Sequence, residues 1–468
     1  MPLVWDLTSE IKDWLTPEKL RELNENWRRQ GSGYPQQVID NLASMLTQPL
    51  AHYESILGYM EVQFRRGREF RQDYHHLYSW LVELVYCLLY YRQVNNEQFL
   101  TNNLPYYDGI KSFIDTDVPL WVFTLNHDVM IETMAARLSI PLHTGFSPNT
   151  IALPRRNKMG NKIGAIKAEI LTKNDLENNA MYFPNPPQSG IYLQKIHGSL
   201  DTFTFNNGED LLRLLPDELS QKGISDVLRM ANEDLFYPEP NVLGRKAKTT
   251  NEITYADDNG EMQFLRRTLL AGAFKFDAYG SQVLPKSMLK HFKQNINFVS
   301  DLICIGYGFG DYHINSILRG WLEFSADRHL EIVLPGAQEI PNFLQHLVLQ
   351  ITVTQSTATD YLDNKAGIKR STLEKLEKKT KSIFRGMDKD RRAEIMSAIA
   401  QKNQDELQKI FLGRLKAIPM ANGKPDLSQL GELKEIAGQW VAEANLTKEA
   451  LLKQMLAFVG KDDAAREN

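Results

Sequence analysis

The chain contains few cysteines, only Cys87 and Cys304 among 468 residues. Neither belongs to a Cys-x-x-Cys pair, which excludes a four-cysteine zinc module. Two isolated thiols within apolar runs are typical of buried core residues and cannot form the set of disulfide bonds that stabilises a disulfide-rich fold. This cysteine usage indicates a reducing compartment, and we expect a cytoplasmic protein.

Long hydrophobic runs and an excess of basic charge are also absent. No segment approaches the roughly 18 uninterrupted apolar residues that identify a membrane-spanning helix. The N-terminus lacks the basic start and the apolar centre of a signal peptide. The net charge of −4 gives no general signature of nucleic-acid binding. We therefore expect no membrane association and no direct binding to nucleic acid.

The apolar residues that are present, 43% of the chain, are enough for an ordinary globular core. Residues 7–115 are largely helical by their apolar spacing. Apolar runs without alternation are typical of buried parallel strands. The sequence predicts such strands at 119–125, 192–196, 298–305, 331–334 and 351–354. The predicted fold class is therefore α/β with a parallel sheet.

A change in composition after residue 365 predicts two domains. Residues 1–365 form the strand-containing domain, and the Lys/Glu-rich residues 366–468 form an all-helical interaction domain. Pro419 and Gly423 predict a break within it. Two insertions interrupt the first domain. Residues 141–190 read as largely irregular, and the charged residues 202–262 as a flap or an interface.

Three segments place polar or glycine residues directly after apolar runs. They are WVFTLNHD at 121–128, YLQKIHGSLD at 192–201 and LICIGYGFGDYHIN at 302–315. In an open α/β sheet, ligands bind at the carboxyl ends of the parallel strands. We therefore expect the three segments to converge on one crevice.

The order of these segments and their residue motifs resemble the catalytic core of the sirtuin superfamily. Thr-Leu-Asn-His-Asp at 124–128 is similar to its Thr-Gln-Asn-x-Asp, His-Gly at 197–198 to its His-Gly, and Gly-Tyr-Gly at 306–308 to its Gly-Thr-Ser. Gly-Asp-Tyr-His-Ile-Asn at 310–315 is closer to the sirtuin-like proteins of bacterial antiphage defence than to protein deacetylases. The missing zinc cysteines agree with that branch.

The resemblance implies a Rossmann-like, sirtuin-like sheet with helical insertions. It also implies an NAD glycohydrolase that cleaves the nicotinamide–ribose bond of its substrate NAD, without a metal, as an abortive-infection effector. Asn126 and His197 correspond to the family's catalytic pair. The expected contacts to NAD come from Thr124, Asp128, Gly198, Ser199, Gly306, Tyr307, Gly308, Asp311, His313 and Asn315.

The chemistry of these residue types fits that expectation. The amide of Asn126 can hold a water or a ribose hydroxyl without adding charge, and His197 can accept a proton near neutral pH. Asp128 has two open roles, a ligand contact or a cap on the following helix. Glycines 306, 308 and 310 allow a turn into a helix whose first N–H groups can bind an anion. Asp311, His313 and Asn315 are either ligand contacts or helix caps.

Sirtuin domains open with a strand and a Gly-Ala-Gly-x-Ser loop, whereas Met1–Asp6 is similar to the family sequence just after that loop. We therefore expect a longer natural product that carries this strand. Bacterial relatives often act with a hexameric ATPase or a short Argonaute, so a separate partner or a homo-oligomer is expected. The alternative function is a non-catalytic sensor of NAD or ADP-ribose.

Overall fold

The structure is a computed structural model. It describes residues 4–67, 69–178, 180–270, 284–336, 339–385, 387, 389–417, 420–421, 424–425 and 447–466. The chain divides into two compact units, residues 1–367 and 368–468. The sequence composition predicts this boundary two residues earlier, between residues 365 and 366. None of the described helices combines the length and the apolar character needed to cross a membrane.

The first unit begins with helices. They are α1 (Val4–Trp14), α2 (Pro17–Arg29), α3 (Gln36–Thr47), α4 (Tyr53–Arg66), α5 (Arg71–Asn95), α6 (Glu97–Asn103) and a 3₁₀ helix at Leu104–Phe113. Helix α2 shows how the sequence sets a boundary, because the hydroxyl of Thr16 accepts the N–H of Lys19 and Pro17 occupies the first turn. Helix α5 contributes the fully buried Leu77 and Leu81 to the core.

Strands and helices alternate over the rest of this unit. The strands are β1 (Pro119–Thr124), β2 (Leu142–His143), β3 (Thr150–Arg156), β4 (Lys162–Leu171), β5 (Gly190–Lys195), β6 (Thr202–Phe205), β7 (Asp210–Leu215), β8 (Glu252–Ala256), β9 (Met262–Arg267), β10 (Asp301–Ile305), β11 (His329–Val333) and β12 (Ile351–Thr354). The helices are α7 (Met130–Leu138), α8 (Lys173–Glu177), α9 (Gln221–Glu233), α10 (Ser287–Asn295), α11 (Tyr312–Phe324) and α12 (Ala358–Lys365); 3₁₀ helices lie at Ile296–Phe298 and Asn342–Gln350.

The apolar runs that the sequence assigns to parallel strands form two sheets among the described residues. One has the order β1-β5-β2 and the other β10-β11-β12, and every pairing in both is parallel. The α/β class with parallel strands is thereby confirmed. The central strand β5 is buried, whereas the edge strands β1 and β10 are only half-buried. Side chains of both sheets, including Phe123 and Leu302, contact one shared hydrophobic cluster.

The two insertions contain a sheet that the sequence analysis missed. Strands β3, β4, β7, β6, β9 and β8 pair antiparallel in that order. The prediction that residues 141–190 are largely irregular is therefore wrong. The flap interpretation of 202–262 is also wrong for its strands, because Phe203, Leu212 and Leu214 are buried. These side chains share a hydrophobic cluster with helices α1–α5, so the sheet belongs to the core.

The second unit contains α13 (Thr372–Arg385), α14 (Lys389–Ala417) and α15 (Lys448–Arg466). Phe384, Ile395 and Val459 belong to its own small hydrophobic core. A two-residue antiparallel ribbon joins β13 (Met420–Ala421) to β14 (Lys424–Pro425), so the all-helical prediction is wrong there. Pro419 and Gly423, which predict the break, lie outside the described residues.

Both cysteines are free thiols. The sequence predicts that both are buried, whereas the structure shows each of them half-buried. Burial raises the pKa of Cys304 to about 12, so this thiol is protonated and unreactive at neutral pH.

Candidate functional site

The first predicted segment continues from the carboxyl end of β1. The hydroxyl of Thr124 accepts the N–H of Asn126 at 3.1 Å, which turns the chain out of the strand and leaves the Asn126 side chain exposed. Asp128 is buried, and its Oδ1 accepts the N–H of Met130, the first residue of α7, at 3.0 Å. The sequence leaves two roles open for Asp128, a ligand contact or a cap on the following helix, and this hydrogen bond corresponds to the cap.

Strand register places Asn126 beside His197. Thr124 pairs with Lys195 in the parallel ladder of β1 and β5. Asn126 and His197 each follow that pair by two residues. The N–H of Ile196 donates to the carbonyl of Thr124 at 3.0 Å, so the pairing extends past the last strand residue. The first two segments therefore leave the sheet side by side.

Gly198 is required by packing. Its φ of +87° lies in the left-handed region, and a Cβ there would sit 2.0 Å from the carbonyl oxygen of Thr268. The next residue, Ser199, is buried; its N–H donates to Thr268 Oγ1 at 3.2 Å and its hydroxyl accepts from Lys195 Nζ at 2.9 Å. Contacts within the protein account for both residues, and their predicted contacts to NAD stay predictions.

We expect Gly198→Ala to lower the unfolding free energy by roughly 2–5 kcal/mol, because it adds a steric clash to left-handed strain. Gly208→Ala is the matched control, since Gly208 has a φ of +83° and open space around its Cβ position. Left-handed strain alone predicts a loss of roughly 1–2 kcal/mol for that control. Urea unfolding followed by circular dichroism measures both. Equal losses in the two variants would contradict the close approach of Thr268.

The third segment forms a glycine turn after β10. Gly306 has a φ of +70°, which favours glycine, and open space surrounds the Cβ positions of Gly306, Gly308 and Gly310. The turn leads into α11, which begins at Tyr312. The turn into a helix that the sequence predicts is thus present, and its contact to a ligand stays a prediction.

Tyr307 and Asn315 brace this turn. Tyr307 Oη lies 2.9 Å from Asn315 Oδ1 and 3.2 Å from the carbonyl oxygen of Asp311. The Asn315 amide donates to the carbonyl of Phe309 at 2.8 Å. The ring of Tyr307 packs on Phe309, with centroids 4.7 Å apart. Both side chains therefore hold the loop in shape, and a role in contacting NAD would be additional to that.

The second and third segments meet at a pair of imidazoles. His197 Nε2 lies 3.0 Å from His313 Nε2, with ring centroids 5.2 Å apart. Ligand atoms of His197, Asp311 and His313 all lie within 4.8 Å of one another. His197 is buried, whereas Asp311 and His313 are half-buried. The predicted convergence of these two segments is thus present in the structure.

The helical N-terminal region also contributes to this neighbourhood. Tyr53, the first residue of α4, is buried, and that burial raises the pKa of its phenol. The negative charges of Glu54 and Asp311 raise it further. Asp311 is therefore within electrostatic range of α4, and Tyr53 stays protonated beside it.

The sequence analysis missed a network of buried charged side chains that includes Lys195, two residues before His197. Lys195 Nζ lies 2.8 Å from Glu132 Oε1 and donates to the Asp128 carbonyl. Arg213 contacts Asp201 and Glu169, each at 3.2 Å. The signal available from the sequence is Lys195 itself, a charged residue at the end of a buried strand, where a charge requires a partner.

The pKa values of the acids in this network are shifted in opposite directions. Desolvation raises the pKa of Glu132 and Glu169, against the opposing charges of Lys195 and Arg213 respectively. Burial also opposes ionisation of Asp201, but the charges of Arg213 and Lys195 outweigh it and lower its pKa. Asp201 is consequently the firmly ionised acid of this group.

A cavity of about 30 Å³ borders the charged network, with room for a few water molecules at most. Glu132, Lys195 and Asp201 line it, together with apolar residues such as Leu193 and Met288. Asn126, His197 and the turn at 306–308 do not line it. This cavity is therefore not the crevice that the sequence predicts between those residues.

Comparisons with known proteins add no assignment: no family model and no curated protein matches this chain.

Proposed function

We propose that this chain is an NAD glycohydrolase that cleaves the nicotinamide–ribose bond to give nicotinamide and ADP-ribose. The supporting observation is the meeting of His197 with the third segment, 3.0 Å from His313, beside the strand end that carries Asn126. A neutral amide, an imidazole and a glycine turn thus surround one edge of the parallel strands, where such folds bind nucleotides.

These groups suit the chemistry of the reaction. Nicotinamide leaves readily because its ring nitrogen is cationic, and the ribose then acquires positive charge in the transition state. The Asn126 amide orients a water or a ribose hydroxyl without adding charge, and His197 accepts the released proton. The turn at residues 306–310, with the start of α11, receives the phosphates or a ribose hydroxyl of NAD.

Hydrolysis is the outcome that the geometry supports over cyclisation. Asn126 is exposed, and open space lies around Gly306, Gly308 and Gly310. Solvent therefore reaches this edge of the sheet and supplies the attacking water.

The finer fold assignment belongs to the same proposal. Parallel pairings β1-β5-β2 and β10-β11-β12, with helices between successive strands, support a Rossmann-like, sirtuin-like arrangement. On this proposal the protein is an antiphage effector that depletes NAD. Restraint comes from a second copy of the chain or from a separate partner, a hexameric ATPase or a short Argonaute, through the second unit.

The test incubates the purified chain with NAD and follows nicotinamide and ADP-ribose. We expect Asn126→Ala to slow product release by about 100-fold, because a misplaced water or ribose loses the reactive geometry. Asn259→Ala, at an exposed turn between β8 and β9, is the matched control and retains full activity.

Equal rates in wild type and Asn126→Ala would remove Asn126 from the mechanism. Saturable NAD binding without turnover would instead support the sensor function. Absence of both binding and turnover would overturn the proposal.

A further inference from the structure

We propose that His197, Asp311 and His313 form a binding site for one divalent first-row transition-metal ion of the zinc type. The supporting observation is that one ligand atom from each residue lies within 4.8 Å of the other two. Among the described residues, this is the group of histidine and acidic side chains that meets such a spacing.

The separation of the two imidazoles fits shared coordination. Two ligands bound about 2.1 Å from one zinc-type ion lie roughly 3.0–3.4 Å apart at bond angles between right-angled and tetrahedral. His197 Nε2 and His313 Nε2 are 3.0 Å apart. The Asp311 carboxylate lies within 4.8 Å of the imidazole nitrogens, so it needs to close by at most roughly 1.4 Å to reach the tetrahedral separation.

The donor set favours a transition metal over magnesium or calcium. Two imidazole nitrogens and one carboxylate suit zinc, cobalt or nickel, whereas magnesium and calcium prefer oxygen ligands. Three protein ligands leave a coordination position for water, as in zinc sites that are not purely structural.

The protein holds these ligands on two separate elements. His197 follows β5 and is fixed by Gly198, which packs on Thr268. His313 lies in the first turn of α11, and Asp311 precedes that helix without a side-chain capping bond.

Occupation of this site would oppose the proposed glycohydrolase reaction. An imidazole nitrogen binds either a metal ion or a proton through its one lone pair, so a metal ion on His197 Nε2 would exclude the proton. The metal site itself stands on geometry, and only this inhibitory consequence rests on the proposed function. We therefore expect a bound zinc ion to inhibit NAD cleavage and a chelator to restore it.

Cobalt(II) titration of the full chain, read by its visible absorption, tests the site independently of NAD. We expect one cobalt ion per chain, displaced by zinc, and an affinity at least about 10-fold weaker in His313→Ala and in His313→Gln. His313→Gln keeps a polar side chain in case the alanine variant fails to fold. His346→Ala is the matched control, because His346 is exposed and pairs with Glu323.

Cobalt bound equally well by wild type and both His313 variants, or not bound at all, would overturn the metal site. The two histidines would then share only a hydrogen bond. Cobalt binding by a chain whose metal-free form does not cleave NAD would leave the metal site standing and overturn the proposed function. NAD cleavage that zinc does not inhibit, in a chain that binds cobalt here, would contradict the competition for His197.

Discussion

Replacing His197 with alanine is expected to slow NAD cleavage by about 10²–10⁴-fold, the range that a positioned general base contributes. The imidazole is buried at the end of β5, and its Nε2 faces His313. The measurement is the rate of nicotinamide release at saturating NAD.

The control for this prediction is His346→Ala, a histidine at an exposed ion pair on the same unit. It should cleave NAD at the wild-type rate. A His197→Ala protein that is folded by circular dichroism and still active within a factor of about 3 would place the proton acceptor elsewhere.

Lys195→Met is expected to lower the unfolding free energy by about 3–5 kcal/mol, because it leaves the buried carboxylate of Glu132 without its positively charged partner. Lys195 Nζ lies 2.8 Å from Glu132 Oε1, and Glu132 is 2% exposed. Apart from this ion pair, neither oxygen of Glu132 has a hydrogen-bond partner among the described residues. Urea unfolding of the full chain measures the loss.

The double variant Lys195→Met/Glu132→Gln supplies the control. Removing the charge from both positions should recover most of the lost stability, because no unpaired charge then remains buried. If the double variant were as unstable as Lys195→Met, the cost would come from lost packing or from the bonds of Lys195 to Asp128 and Ser199.

The same variant has a pH dependence with a definite sign. Burial already raises the pKa of Glu132 in the wild type, and the charge of Lys195 opposes that shift. Removing Lys195 raises the pKa further. A carboxyl with a raised folded-state pKa contributes full stability below its unfolded pKa and loses it as pH rises through the folded value. The destabilisation by Lys195→Met should therefore be larger at pH 7.5 than at pH 5, and a pH-independent loss would refute the charge explanation.

Much of the candidate site was predictable because its residues follow apolar runs. Those runs fix the strands, and parallel register then carries Asn126 and His197 to the same edge. The role of Asp128 was not predictable. A carboxylate before a helix satisfies a ligand and a backbone N–H equally well in sequence, and only the contact to Met130 distinguishes the two.

The antiparallel sheet was missed because its strands do not look apolar. Strands β3 and β4 carry Arg155, Arg156 and Lys167, whose charges obscure the buried Leu153 and Ile166 of the same two strands. Strand β4 also pairs with β7, and β6 with β9, across long stretches of chain, and sequence periodicity carries no information about such distant partners.

By itself, the sequence determined the parallel strands and the polar residues at their carboxyl ends, since both follow from local patterns of burial. Only the tertiary structure decided that His313 meets His197 and that Lys195 is matched by Glu132. Residues 116 positions apart have no local signal for each other. Their contact depends on how strands and helices pack, and the cost of burying an unpaired charge selects the packing in which each finds its partner.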